Sequence, residues 1–290
     1  MKIALDPYML RSTPLLELPG VVADLGYEYI ELSPREDFTP FFLHPRVDDA
    51  GVKAFKQALD GAGVKVAAHL PLYRWSGPDE DERQAAVRYW KRAIQITVDL
   101  GVSTMNTEFS GRPEKAEESE RAFYRSMEEL LPIIEREGID LLIDPHPDDF
   151  VEEGLAAIRV IRGLNSKNVG LVYVASHSFH MKNAPLEIMR AAGDKLRLVH
   201  VADTMDHHAS HGLRYITNPP GNPVRVHQHL KIGDGDVNWD EFFGGLQEIG
   251  FLDREDTVMV SSVFAEDDNA ADVSRYQLET MKQRVAKASL

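Results

Sequence analysis

The chain has 290 residues and a formal net charge of -15, from 47 aspartates and glutamates against 32 lysines and arginines, with no cysteine. That charge repels polyphosphate backbones and argues against a nucleic-acid partner, while the missing cysteines exclude disulfides, thiolate metal sites and cysteine nucleophiles. The hydrophobic fraction of 43% and charged fraction of 27% are those of an ordinary globular protein; no apolar run approaches the roughly 18 residues of a membrane span, and the opening MKIALDPYML is no signal peptide. A cytoplasmic protein handling a neutral or metal-chelated small molecule, away from membranes, is expected.

Taken in order, the chain repeats one unit: an amphipathic stretch, a glycine, then a short apolar run. The first strand is read from Lys2 to Asp6. Gly26, Gly63, Gly101, Gly138, Gly193 and Gly250 each stand where a helix needs a left-handed residue to stop. The strand-like runs after them include Tyr29 to Leu32, Val64 to His69, Thr104 to Glu108, Leu141 to Asp144, Arg197 to Asp203 and Thr257 to Val263, with a further run from Val169 to Val174. That makes about eight strands by pattern. Between them Ala93, Ile96, Thr97 and Leu100 share one helix face, as do Met127, Leu130, Leu131 and Ile134. Alternating strands and helices predict a parallel sheet with right-handed crossovers, and eight such units close into a (β/α)8 TIM barrel. The rival, an open doubly wound sheet, lacks its Gly-x-Gly-x-x-Gly after the first strand. No linker divides the chain, so residues 1–290 are read as one domain with long loops after strands two, three and seven: Ser33 through Pro45, Pro71 to about Asp81, and Asp203 to Asn238.

Polar residues gather where strands end. Leu141-Leu142-Ile143-Asp144-Pro145-His146-Pro147 is a buried-strand pattern that stops in a carboxylate and an imidazole flanked by prolines, which force the backbone out of the strand in an extended direction. Of 11 histidines, His69, His146, His177 and His200 lie at or just past strands; His207, His208, His211, His227 and His229 fall in the loop after strand seven, and His44 and His180 also follow strands. The carboxylates Glu31, Glu108, Asp144 and Asp203 occupy strand ends too. Oxygen and nitrogen ligands without thiolate suit a hard-to-borderline divalent ion, whereas Glu31 and Asp203 could equally serve as a rim salt bridge or helix cap. Tyr73-Arg74-Trp75-Ser76-Gly77-Pro78 reads either as a sugar-stacking loop or as a packed lid. Gly233-Asp234-Gly235-Asp236-Val237-Asn238-Trp239 lacks the spacing of a calcium loop and reads as a turn leading into a helix at Trp239. Ser110-Gly111 and Ser261-Ser262 have no nucleophile-elbow context.

These residues give the chain a resemblance to the xylose-isomerase-like barrels, the sugar phosphate isomerase/epimerase superfamily with its AP endonuclease branch. Asp144-Pro145-His146-Pro147 resembles the fifth-strand motif, where a glutamate normally binds metal; His200-Val201-Ala202-Asp203 resembles the seventh-strand His-x-x-Asp, whose histidine is a ligand. The segment Gly233 to Trp239 is similar to the Gly-x-Gly-x-x-x-Trp run before the last helix. Tyr73 to Pro78, Asn106-Thr107-Glu108 and Val226-His227-Gln228-His229 resemble the inositol-catabolism, IolH-like branch, and related barrels serve as catalytic subunits of C-glycoside deglycosidases. Two positions depart from the pattern: Val174-Ala175-Ser176-His177 lacks the aspartate of the sixth-strand Asp-x-x-His, and Ser262 stands near the usual eighth-strand glutamate.

The resemblance implies a divalent-metal-dependent enzyme that enolises a keto-sugar or keto-cyclitol, with manganese placed ahead of magnesium, cobalt, iron or zinc. The ligands implied are Glu108, Asp144, His177, His200 and His229, with Glu108, His177 and His229 taking over from the two missing positions. His146 is assigned as base or acid, with His69 assisting. Two alternatives accompany this reading. One is a lyase, a deglycosidase subunit acting on a 3-keto glycoside with a partner chain; the other is a non-catalytic barrel subunit. A partner subunit or a homo-oligomer is compatible with each.

Overall fold

A computed structural model describes residues 1–181, 184–206, 228–264 and 269–289. The strands are β1 (Lys2–Leu5), β2 (Tyr29–Leu32), β3 (Lys65–His69), β4 (Thr104–Glu108), β5 (Asp140–Asp144), β6 (Val169–Val174), β7 (Leu196–Val201) and β8 (Val258–Ser261). They run parallel in sequence order and close into a barrel, β1 pairing β8 with Ala4 opposite Val260. Among the described residues the helices are α1 (Leu18–Asp24), α2 (Asp49–Ala62), α3 (Glu80–Leu100), α4 (Ala116–Arg136), α5 (Gly154–Gly163), α6 (Ala175–His180), α7 (Pro185–Ala192), α8 (Trp239–Glu248) and α9 (Ala270–Ala288). The expected single (β/α)8 TIM barrel is what forms. No described helix is long and apolar enough to cross a membrane.

Local chemistry sets the helix ends. The side chain of Asp79 accepts from the backbone N–H of Glu82 at 3.0 Å, and Glu80, Asp81 and Glu82 place negative charge in the first turn of α3, where the helix dipole favours it. Its far end stops at Gly101 with φ 73°, a left-handed backbone that costs glycine nothing. The face predicted for α3 is buried as expected, Ala93, Ile96 and Thr97 with no exposure and Leu100 at 7%.

Two apolar layers result from strand alternation. Inside the barrel Ala4, Ala67, Ala68, Leu142, Val172, Val174, Leu198, Val258 and Val260 pack together. The opposite strand faces, with Leu5, Ile30, Leu32, Met105, Leu141, Ile143, Leu171, Val199 and Val201, join the helices in the larger core. Two residues further along several inward rows, the side chain becomes polar: Ala4 is followed by Asp6, Leu142 by Asp144, Leu198 by His200 and Val260 by Ser262. With side chains repeating every second residue along a strand, an apolar plug and a polar rim arise from the same face. The segments 33–48 after β2 and 70–79 after β3 lie on this C-terminal side, as does the connection from β7 to α8, of which residues 207–227 fall outside the described residues. His207, His208, His211 and His227 lie in that outside stretch, and the side chain of His180 is likewise not among those described.

Candidate functional site

Three groups of side chains occupy the polar rim. In the first, His177, one turn into α6, places Nδ1 2.8 Å from Asp144 Oδ2, and its Nε2 is 3.3 Å from Nε2 of His229. His229 is fixed from behind: its Nδ1 donates to the Ser262 carbonyl at 2.6 Å, and its ring stacks on Phe264 at 4.2 Å between centroids. In the second, Glu31 Oε1 accepts from Asn106 Nδ2 at 2.9 Å and lies 2.9 Å from His200 Nε2. In the third, ligand atoms of Glu108, His146 and Asp149 lie within 4.8 Å of one another, close enough to hold one metal ion. His146 Nε2 stands 3.6 Å from Glu108 Oε1, while its Nδ1 donates to the Pro147 carbonyl at 2.7 Å. The edge of the His146 ring meets His177 with centroids 4.6 Å apart, so the first and third groups are contiguous.

Burial and mutual charge set the protonation states. Burial raises the Asp144 carboxyl to about 7, against the opposing pull of His146 and His200. Burial disfavours a charged His146, but Glu108, Asp149 and Asp144 outweigh it and lift the imidazole to about 9. Asp149 is pushed well above the carboxylate range by burial and by Glu108. His229 is driven down to about 3 by burial, so it is a neutral ring whose Nδ1 carries the proton. Glu108, Asp149 and Asp144 around His146 thus favour positive charge at this point of the rim.

The expected site residues separate into those the barrel brings together and those it does not. Glu108, Asp144, His146, His177 and His229 belong to the contiguous groups. His200 reaches the rim, but its Nε2 is engaged by the fully buried Glu31. His69 is elsewhere: Ala68 pairs with inward-facing Glu31, so the next residue points outward to the helices. There its Nδ1 donates to Thr97 Oγ1 at 2.8 Å, since that hydroxyl gives its own proton to the Ala93 carbonyl, and Nε2 accepts from Thr39 Oγ1 at 3.3 Å. Burial lowers His69 to about 3, and it is a neutral core histidine bridging β3, α3 and the loop after β2.

Trp75, Asp203 and Asp149 each take a defined place. Trp75 is fully buried, stacks on Trp90 at 4.5 Å and donates Nε1 to the Phe109 carbonyl at 3.0 Å, so the Tyr73 to Pro78 loop is a packed brace behind the end of β4. Asp203 is a structural anchor: its Oδ2 accepts from Gly233 N and Trp239 Nε1, each at 2.8 Å, and its Oδ1 accepts from Val237 N at 3.1 Å. That explains the glycine and tryptophan of the segment before α8, since a Cβ on Gly235 would collide with Asp203 and with the backbone of Thr204. Asp149 was not singled out by sequence. The signal was the stiff Pro145 to Pro147 turn, which swings the chain back so that Asp149 Oδ2 accepts from Ser110 N at 2.6 Å.

A closed eight-stranded parallel barrel with carboxylates and imidazoles gathered at the C-terminal ends of its strands defines a TIM barrel of the sort that keeps its chemistry on that face. Residues 20–284 match the family described as xylose isomerase-like TIM barrel, and the chain belongs to that family. It is 24% identical over 233 residues to an inosose isomerase of Bacillus licheniformis, covering 79% of this chain and 77% of that protein, and equally to that of Bacillus subtilis. Among solved structures, IOLI protein with a bound zinc atom superposes with a TM-score of 0.75 at 20% identity over 99% of both chains. The 3-keto-D-glucoside 4-epimerase YcjR of E. coli superposes with a TM-score of 0.73 at 16% identity over 98% of this chain and 99% of that one.

Proposed function

We propose that this protein moves a proton beside the carbonyl of a neutral keto-cyclitol or keto-sugar, an isomerase or epimerase reaction dependent on a divalent ion. The observation that carries the reading is an imidazole oriented by a buried carboxylate, His177 on Asp144 at 2.8 Å, next to a group able to hold a cation. Family membership and likeness to inosose isomerases support the substrate class. The rim carboxylates Glu31 and Glu108 disfavour an anionic substrate such as a sugar phosphate.

The residues present fit a divalent ion. Ligand atoms of Glu108, His146 and Asp149 lie within 4.8 Å of one another, and these nitrogen and oxygen donors suit an ion from manganese to zinc. When bound, it would supply polarisation of the carbonyl and charge stabilisation as the enolate develops. His177 takes the base role in place of His146, whose Nε2 faces Glu108. It accepts the proton from the carbon next to the carbonyl and the C–H electron pair becomes the enolate double bond; return of the proton to the other face of that carbon gives the epimer, and its delivery to the former carbonyl carbon, with the hydroxyl proton passing to the old carbonyl oxygen, gives the isomer. The same enolate beside a leaving group would expel it, which is how a lyase on a 3-keto glycoside would use this site.

Solvent exchange tests the proposal. In deuterated water with manganese or zinc present, an inosose should gain deuterium next to its carbonyl, and Asp144→Ala should lower that rate by about 100-fold or more. No exchange with any divalent ion would overturn the reading, and expulsion of a substituent from a 3-keto glycoside would favour the lyase form.

A further inference from the structure

We infer that the ion binds at Glu108, His146 and Asp149, between the ends of β4 and β5, rather than at the strand-five to strand-eight positions where the family pattern places its ligands. The inference rests on the metal-dependent reading above. Those four positions do not assemble a ligand set here. Asp144 directs Oδ2 to His177, Val174 has no ligating atom, His200 places Nε2 on buried Glu31, and Ser262 Oγ lies 3.2 Å from His229 Nδ1 and donates to Asp6 Oδ2 at 3.3 Å.

The β4 and β5 ends are built differently. With Nδ1 donating to the Pro147 carbonyl, His146 turns Nε2 toward Glu108, the arrangement that orients an imidazole ligand. The 3.6 Å from that nitrogen to Glu108 Oε1 is beyond a good hydrogen bond and matches two ligands each about 2.1 Å from one ion. Asp149 completes the trio, held by the N–H of Ser110. Ser110 with φ 61° and Asp148 with φ 70° both adopt left-handed backbone without being glycine, one on each loop that flanks the group. Sparsely populated conformations on both sides of one cluster mark a geometry the surroundings impose. His146 and Glu108 remain 19% and 21% exposed, leaving an approach for ion and substrate.

Manganese or zinc titrated calorimetrically into chelator-treated full-length protein tests the location independently of turnover. Glu108→Gln and Asp149→Asn should each weaken binding by about 100-fold or more, while His200→Gln should stay within about threefold of the parent. Pulsed electron paramagnetic resonance on the unaltered protein loaded with copper(II) or manganese(II) should count one coordinated imidazole, a readout that does not depend on how a variant folds. Loss of the ion in His200→Gln with retention in Asp149→Asn, or two or more coordinated imidazoles, would overturn the location while leaving metal-dependent enolisation standing. Solvent exchange that needs no divalent ion, with none bound, would overturn both.

Discussion

His69 shows how one residue's address decides its role. By sequence it ends a strand just as His146 and His200 nearly do, yet pleat parity sends it into the layer between barrel and helices. Its consequence is on stability. The buried ring titrates near 3 in the folded chain against an ordinary 6.5, so the unfolded chain binds a proton that the folded one does not between those values. Stability contributed by the neutral ring is therefore fully present above the unfolded pKa and lost as pH falls below it. The urea-unfolding advantage of the parent over His69→Gln should shrink by about 2 kcal/mol between pH 7 and pH 5; an advantage constant with pH would show that the ring is not held neutral. Asp149 is the opposite case, a carboxylate on an irregular loop whose partners come from β4 and β5, with no periodicity in the sequence to announce it.

At the scale of elements, the strands were legible because each is an apolar run closed by a polar strand end, and the helices because their buried faces repeat at 3.6 residues. The observed β2, β4 and β6 coincide with the expected spans, and β7 and β8 are shorter at their C-terminal ends, stopping at Val201 and Ser261. There Asp203 turns away to pair with Leu230 and gather the segment before α8. The loop after β3 was ambiguous because an indole that stacks on a sugar and one that stacks on another indole are the same residue. Trp90 decides between them. Trp75→Phe keeps an aromatic ring while removing the bonds to the Phe109 and Glu108 carbonyls, the latter at 3.2 Å, and should cost about 1–3 kcal/mol in chemical denaturation. An unchanged midpoint would mean that this loop does not brace the end of β4.

For the whole molecule, closure of the barrel is what turns scattered strand ends into one site. A cation bound to the folded chain and not to the unfolded one raises stability by mass action, about 2.7 kcal/mol at 100 times its Kd. For a chain of this size that corresponds to a rise in Tm of roughly 4 to 5 °C, reversed by a chelator and checked by calorimetry; a Tm indifferent to manganese, zinc and chelator would count against any bound ion. Sequence alone determined the (β/α)8 architecture, the polar rim on the C-terminal side and most of the residues in it, because hydrophobic period, glycine stops and strand-end chemistry are local properties of the chain. Only the tertiary structure decided which of those residues meet. Contacts such as Asp144 with His177, Glu31 with His200 and Asp149 with Ser110 join segments 33, 169 and 39 residues apart, and depend on barrel register, pleat parity and loop direction, none of which is encoded at a single position.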